Sequence, residues 1–267
     1  MGHSFQDLIK LIEEKTGFKC QSYKERPLTR RIRVRMRALG LREFSEYYDF
    51  LNNNPGEFKT LLDTITINLS YFFRNFETFE YLKNDILPRF SDNSKIIFWS
   101  AGCAQGEEAY SLAIIAAEIG ILDKTIIYAT DIDDDALKKA TIGIYPDIAF
   151  QYTPPKYREK YFIKCAEGYQ VKDEIKRNVN IFHHDLFDCF PYEKCDLIMC
   201  RNVLIYLSRE AQSELVRRFH EALKPGGYLV IGKVELLLGI PEAKFFNIIN
   251  RAERVYQKVS GDVSYGS

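Results

Sequence analysis

Residues 96–108 run Ile-Ile-Phe-Trp-Ser-Ala-Gly-Cys-Ala-Gln-Gly-Glu-Glu: an apolar β-prone stretch, a turn with two glycines, and at once a helical pattern. A buried strand that feeds a glycine turn and then a helix is the opening unit of a nucleotide-binding α/β domain. The helix begins with two acids, Glu107 and Glu108. A pyrophosphate would use the unpaired N–H groups and positive end of that helix. Two carboxylates there disfavour a dinucleotide and suit an adenosine compound with no phosphate and a cationic tail. S-adenosylmethionine, with its sulfonium and α-ammonium, answers that description.

The pattern continues downstream. Strand-like runs at 125–129, 179–182, 195–199 and 228–231 alternate with helical ones at 106–119, 134–141 and 209–223. Such alternation predicts a mostly parallel sheet with helices on both faces, a Rossmann-like fold. Between Ile144 and Asn178 the pattern breaks at Pro146, Pro154 and Pro155, and runs at 161–164 and 169–172 flank Ala166-Glu167-Gly168 as a hairpin. This segment, 144–178, is expected to be a small β-subdomain inserted into the α/β domain.

The front of the chain carries helical spacing only. Phe5, Leu8, Ile9 and Ile12 share a face that Gly17 closes, and Asn52-Asn53-Asn54-Pro55-Gly56 separates two further helical runs. After Pro27, Leu28, Ile32, Met36 and Leu39 form one stripe; Arg30, Arg33 and Arg37 project from the opposite face, with Arg31 and Arg35 flanking. The expected organisation is an all-α N-terminal domain over 1–72, a linker over 73–94, and a Rossmann-like α/β domain over 95–260.

Composition narrows the function class. Lys and Arg number 37, Asp and Glu 37, so the formal charge is zero and any basic surface is local. The arginine face has three readings: a solvated surface, a nucleic-acid surface, or a dock for an acidic helical partner. Zero net charge and the absence of interleaved aromatics oppose nucleic acid. The six cysteines show neither Cys-x-x-Cys pairs nor zinc spacing, so no metal is expected. No apolar run is long enough to span a bilayer and the N-terminus lacks a signal-peptide core, which points to a cytoplasmic protein without direct membrane insertion.

Open α/β sheets bind ligands at the carboxyl ends of their strands. Ala101, Gly102 and Gly106 follow the first strand, where small residues let backbone approach a ligand. Asp131 ends the second, placed to hold ribose hydroxyls or to cap the next helix. Asp185-Leu186 follows the third, suited to an adenine amino group and ring. Arg201-Asn202, with Val203 and Tyr206, follows the fourth and would face a transferable methyl.

These motifs together resemble the chemotaxis receptor methyltransferases of CheR type. The most specific are Asn68-Leu69-Ser70-Tyr71-Phe72-Phe73-Arg74, Gly106-Glu107-Glu108, Asp131-Ile132-Asp133 and Cys200-Arg201-Asn202-Val203-Leu204-Ile205-Tyr206. The resemblance runs from the arginine helix to about Gln257. It implies S-adenosylmethionine-dependent esterification of receptor glutamates, with S-adenosylhomocysteine as product. It also implies cofactor contacts from Asn68, Ser70, Arg74, Glu107, Asp131, Asp185, Leu186, Asn202 and Val203. The chain departs from the family pattern at Gln105, Ala109, Ser70 (for threonine) and Lys233-Val234 (for His-Ser).

A glutamate acceptor with an ordinary pKa of about 4.3 is already ionised near neutrality, so in-line methyl transfer needs no general base. Arg74, whose fork suits a carboxylate, and Tyr206, beside the expected methyl site, are the candidate catalytic residues. Arg30, Arg33 and Arg37 are the candidate docking residues for the cytoplasmic helical domain of chemoreceptors, as the resemblance favours. In some members of the family the β-subdomain grips a receptor tail peptide by strand addition. The short hairpin here predicts a member independent of that tether. Other classes stand as alternatives: a methyltransferase for another protein or a nucleic acid, or a non-catalytic S-adenosylmethionine-binding scaffold. An amino-group methylator is opposed by Asn202-Val203-Leu204-Ile205, which lacks a Pro-Pro-aromatic continuation. An NAD-dependent oxidoreductase is opposed by the acids after the glycine turn and the missing third glycine.

Overall fold

A computed structural model describes residues 2–66, 69–190 and 193–259. The chain divides into two compact units, one running up to Thr66 and including Tyr206–Gln212, the other holding the rest.

The first unit contains helices α1 (Phe5–Thr16), α2 (Glu25–Ala38), α3 (Phe44–Asn53) and α4 (Glu57–Ile65). Ser4 and Asp7 form a reciprocal capping box at the start of α1, and Gly17 in the left-handed region ends it. Helix α2 begins at Glu25, ahead of Pro27, because a proline in the first turn removes an N–H that has no intrahelical partner there. Leu28, Ile32 and Met36 are buried, as their spacing predicts. Arg35 turns inward to a bidentate pair with Glu57, one bond being 2.7 Å, and the Tyr47 hydroxyl donates to Glu57 at 3.1 Å.

The larger unit is built on seven strands in the order β6-β2-β1-β7-β8-β10-β9. They are β1 (Ile96–Ala101), β2 (Thr125–Asp131), β6 (Val179–His183), β7 (Cys195–Cys200), β8 (Leu223–Ile231), β9 (Phe246–Asn250) and β10 (Val255–Lys258). The first five pair in parallel; β10 joins β8 and β9 antiparallel. The central strands β1 and β7 are buried at every residue, hence their mostly apolar runs; the buried Asp196 accepts from the Ile97 N–H and from Lys224, each at 2.8 Å. Helices α5 (Phe76–Tyr81), α6 (Glu107–Glu118), α7 (Asp134–Ile142), α8 (Pro155–Tyr161), α9 (Asp173–Lys176) and α10 (Arg209–Ala222) complete the helix list. Lys224-Pro225-Gly226-Gly227, between the predicted helix and strand, forms an irregularity within β8, with Gly226 at φ 73°.

Two segments differ from expectation. Residues 73–94, read as a linker, hold α5 and a continuing π and 3-10 helical stretch, and Phe79, Leu82, Ile86, Leu87 and Phe90 are buried in the larger unit's core. The insertion is a three-stranded sheet, β3 (Ile144–Tyr145), β5 (Gly168–Val171) and β4 (Phe162–Cys165), in the order β3-β5-β4. Its hairpin is the expected one; the short third strand and α8 are additional. Phe150, Phe162 and Tyr145 pack around Phe72 with ring centroids 4.8–4.9 Å away.

Candidate active site

The glycine turn after β1 approaches its neighbours closely enough to exclude side chains. Gly102 lies at φ 76°, and a Cβ there would come within 2.8 Å of a Val203 methyl; Gly106 lies at φ 91°, and a Cβ would meet Ala140 at 2.9 Å. Both positions therefore require glycine. Asp131 accepts from the Ala104 N–H at 2.8 Å and the Asp133 N–H at 3.1 Å, tying the end of β2 to the glycine turn. The cap of α7 is Asp133, which accepts from the N–H groups of Asp135 and Ala136, so Asp131 does not serve as the helix cap.

The two acids opening α6 part company. Glu107 is 3% exposed, and its Oε2 is a buried oxygen with no hydrogen-bond partner. Burial raises its pKa to about 7, partly offset by backbone N–H, the Ser70 hydroxyl and Lys139. Glu108 faces the core instead. It accepts from the Ser100 hydroxyl at 2.8 Å and lies 3.6 Å from the Arg201 guanidinium. The expected anionic doublet is thus one carboxylate with an unpartnered oxygen, Glu107, and one paired with an arginine, Glu108. Adjacent helical residues are about 100° apart around the axis, so only one can face the ligand end.

Arg201 likewise does not face a methyl group. Its buried guanidinium donates to the Arg74 carbonyl at 2.8 Å and to Asn75 Oδ1 at 2.7 Å, with the Phe79 ring 5.6 Å away. Arg74 sits between Phe73 (φ 56°) and Asn75 (φ 61°), two left-handed residues that are not glycine. Such conformations cost about 1–3 kcal/mol each and persist where surrounding contacts enforce them. Here Phe73 N–H donates to the Ser111 hydroxyl at 3.0 Å and Phe72 N–H to the Ala149 carbonyl at 2.9 Å.

Arg74, Asn75, Phe76, Glu77, Tyr152, Asn202, Lys233 and Val234 line one cleft of about 390 Å³. Lys233 stands at its rim, 3.3 Å from Glu77 and 3.2 Å from Glu253. Asn202 is left-handed at φ 62°. Asp185 and Leu186 follow β6 in a turn where the Phe187 N–H donates to Asp185 Oδ1 at 2.8 Å, next to His184, whose N–H donates to the Asp131 carbonyl. The structure thus places Gly102 against Val203, Ser70 against Glu107, and Arg74 with Asn202. Asn68 lies outside the described residues. Glu235, which no sequence motif marks, is buried, and the backbone N–H groups of Asn202, Ile205 and Gly232 donate to its carboxylate.

Tyr206 and the arginine helix belong to the first unit. Tyr206 is half-buried, and its carbonyl accepts from the Lys24 N–H at 2.8 Å. Arg30, Arg33 and Arg37, with Arg26 and Arg42, line a groove of about 560 Å³ that also contains Met36 and Leu41. The Arg33 guanidinium lies 5.1 Å from the Phe44 ring, and Arg37 Nε donates to the Arg33 carbonyl at 3.3 Å.

These residues fit an adenosyl cofactor with a cationic tail. A buried carboxylate oxygen without a partner needs a donor, and the ammonium of such a cofactor is one. Among the described residues there is no His, Cys, Asp and Glu cluster able to hold a metal, and no helix long and apolar enough to cross a membrane.

The comparisons agree with this reading. Residues 68–252 match the family described as CheR methyltransferase, SAM binding domain, and residues 3–66 match CheR methyltransferase, all-alpha domain. A chemotaxis protein methyltransferase of Borreliella burgdorferi is 35% identical over 247 residues, covering 87% of each chain. One of Listeria innocua is 32% identical over 231 residues, covering 86% of this chain and 88% of its own. Magnesium protoporphyrin IX methyltransferase of Synechocystis, solved with bound SAM, is 18% identical with a TM-score of 0.41, covering 69% of this chain and 79% of that one. With an all-α domain, a domain that binds S-adenosylmethionine, and relatives alike over most of their length, this chain belongs to the CheR methyltransferase family.

Proposed function

We propose that the protein transfers the methyl of S-adenosylmethionine to glutamate side chains of chemoreceptors, giving methyl esters and adenosylhomocysteine. The observation that carries the reading is the cleft that joins Arg74 and Asn202, beside a glycine turn whose Glu107 oxygen lacks a partner. The cofactor supplies an electrophilic methyl on sulfonium. The chain's residues supply position and charge. Glu107 accepts from the cofactor's ammonium, Asp131 from the ribose through lone pairs its backbone bonds leave over, and Asp185 from the adenine amino group beside Leu186. Gly102, Ser70, Asn68, Asn202 and Val203 complete the contacts.

Arg74 directs a carboxylate, the cofactor's or the acceptor's, with a fork that a lysine cannot copy. Tyr206 orients the acceptor. An acceptor carboxylate is ionised at neutral pH, so placement along the line of transfer supplies the rate enhancement, up to about 7–11 kcal/mol for well-oriented groups. The arginine groove, with Arg30, Arg33 and Arg37, attracts the acidic helical surface of the receptor, and no tail peptide is required. The protein works in the cytoplasm, where those receptor helices lie.

Incubation with labelled methyl donor and receptor, followed by mild alkali, tests the reaction. Volatile methanol identifies an ester; label retained after alkali marks nitrogen or carbon methylation and removes the proposal.

A further inference from the structure

Glu235 follows β8 and is 3% exposed, yet it carries a carboxylate. Its Oε2 accepts from the N–H groups of Gly232 at 2.5 Å and Asn202 at 3.0 Å, and its Oε1 from Ile205 at 3.2 Å. The Leu204 N–H adds a further bond to the same carboxylate. Three of these four donors belong to the turn after β7. Convergent backbone N–H groups form an anion-binding nest, and here the chain fills the nest with its own side chain. Arg201, which attracts both Glu235 and Glu108, balances the buried charge. Gly232 is shaped to the same contact: a Cβ there would come within 2.7 Å of Glu235 Oε2 and 2.9 Å of the Asn202 nitrogen.

The turn held this way is no ordinary one. Asn202 is left-handed, and Val203 packs where Gly102 leaves no room for a Cβ. Without an acceptor, these N–H groups would be buried and unpaired, and the turn would open to find water.

We propose that Glu235 is a positioning residue for cofactor binding: its carboxylate gathers the N–H groups of residues 202, 204 and 205 and fixes Asn202 and Val203 in the conformation the adenosyl cofactor meets. This rests on the reading that Asn202 and Val203 contact the cofactor. Glu235 itself touches no reacting atom. Its effect falls on donor affinity, with little on turnover once the donor is saturating.

The test is a set of five variants, three single and two double, measured by calorimetry with adenosylhomocysteine, by steady-state kinetics and by thermal melting. In Glu235→Gln one accepting oxygen becomes an NH₂ that opposes the N–H groups. Gly232→Ala wedges the same contact apart without removing charge, and it carries the test if the first variant does not fold. Each should weaken adenosylhomocysteine binding at least tenfold and raise the donor KM in step, with kcat within threefold. Asn202→Ala should also weaken binding, and adding either lesion to it should cost less than a further threefold. A folded Glu235→Gln or Gly232→Ala protein with wild-type affinity would overturn the proposal, as would losses that multiply fully with Asn202→Ala, the mark of a general structural role. Undiminished affinity in Asn202→Ala alone would instead refute the cofactor contact on which the proposal stands.

Discussion

Glu107 allows a quantitative test of the cofactor site. Its carboxyl has a pKa of about 7 in the ligand-free protein because burial disfavours the charge and one oxygen has no partner. A cation bound beside it favours the ionised form and draws the pKa back down. Binding therefore releases a proton, and affinity must rise with pH through the free protein's pKa. With that pKa near 7, the ionised fraction climbs from about one-tenth at pH 6 to about nine-tenths at pH 8, so adenosylhomocysteine should bind about tenfold more tightly at pH 8, about 1.4 kcal/mol. In Glu107→Gln this extra slope should vanish, and affinity at pH 8 should fall about 10- to 100-fold, the worth of a charge-assisted hydrogen bond.

Titration calorimetry at pH 6, 7 and 8, in buffers of different ionisation enthalpy, reads both affinity and proton release. Any titration of the ligand's own ammonium is common to both proteins and cancels in the comparison. The stability sign is opposite. A carboxyl whose folded pKa exceeds its unfolded value of 4.5 contributes stability that is complete below pH 4.5 and lost as pH rises through about 7. Glu107→Gln should then stabilise the ligand-free protein at pH 8, by about 3 kcal/mol at most. Equal pH slopes in wild type and variant would refute the assignment of Glu107 to the ligand's cation.

Other outcomes follow from geometry already described. Arg74→Ala should lower kcat/KM at least about 100-fold, the worth of one strong charge-assisted contact, while moving Tm by no more than about 2 °C; assay and melting curve check this together. Reversing charge at Arg33 and Arg37 should cut receptor methylation and flatten its salt dependence but leave adenosylhomocysteine affinity unchanged, since exposed charges steer association within a Debye length of about 8–10 Å. Glu57→Ala strands Arg35 and the Tyr47 hydroxyl, so chemical denaturation should show the helical unit losing about 3–5 kcal/mol. Gly106→Ala, at φ 91° with Ala140 in the way, should lower Tm and weaken donor binding in parallel, measured by the same melts and titrations.

Much of the α/β core is legible in the chain because fully buried parallel strands are mostly apolar runs, as Ile96–Ala101 and Cys195–Cys200 are apart from Ser100 and Asp196. The glycine turn and its acids are equally local. What escapes has physical reasons. The π-helical stretch at Leu82–Ile86 and Pro88 break the period of a segment whose apolar residues nevertheless enter the core, so 73–94 passes for a linker. The two-residue β3 is too short for any alternation to show, and β9 and β10 gain strand form by pairing at the sheet's antiparallel edge. Within the site, a doublet such as Glu107-Glu108 does not reveal which side chain rotates inward; Arg201 decides that from more than ninety residues away. Glu235 shows no motif at all, since its partners Asn202 and Ile205 lie about thirty residues upstream.

The inserted sheet also has a bearing on how the molecule can be altered. Its Ala149 carbonyl anchors the backbone just before Arg74, its aromatic rings enclose Phe72, and the Tyr145 hydroxyl donates to the Gln105 carbonyl at 2.6 Å, inside the glycine turn. Residues 144–178 therefore buttress the backbone before Arg74 and the glycine turn from behind. A trimmed version of the protein, however well its central sheet folds, would have lost its foundation at the place where Arg74 is aimed.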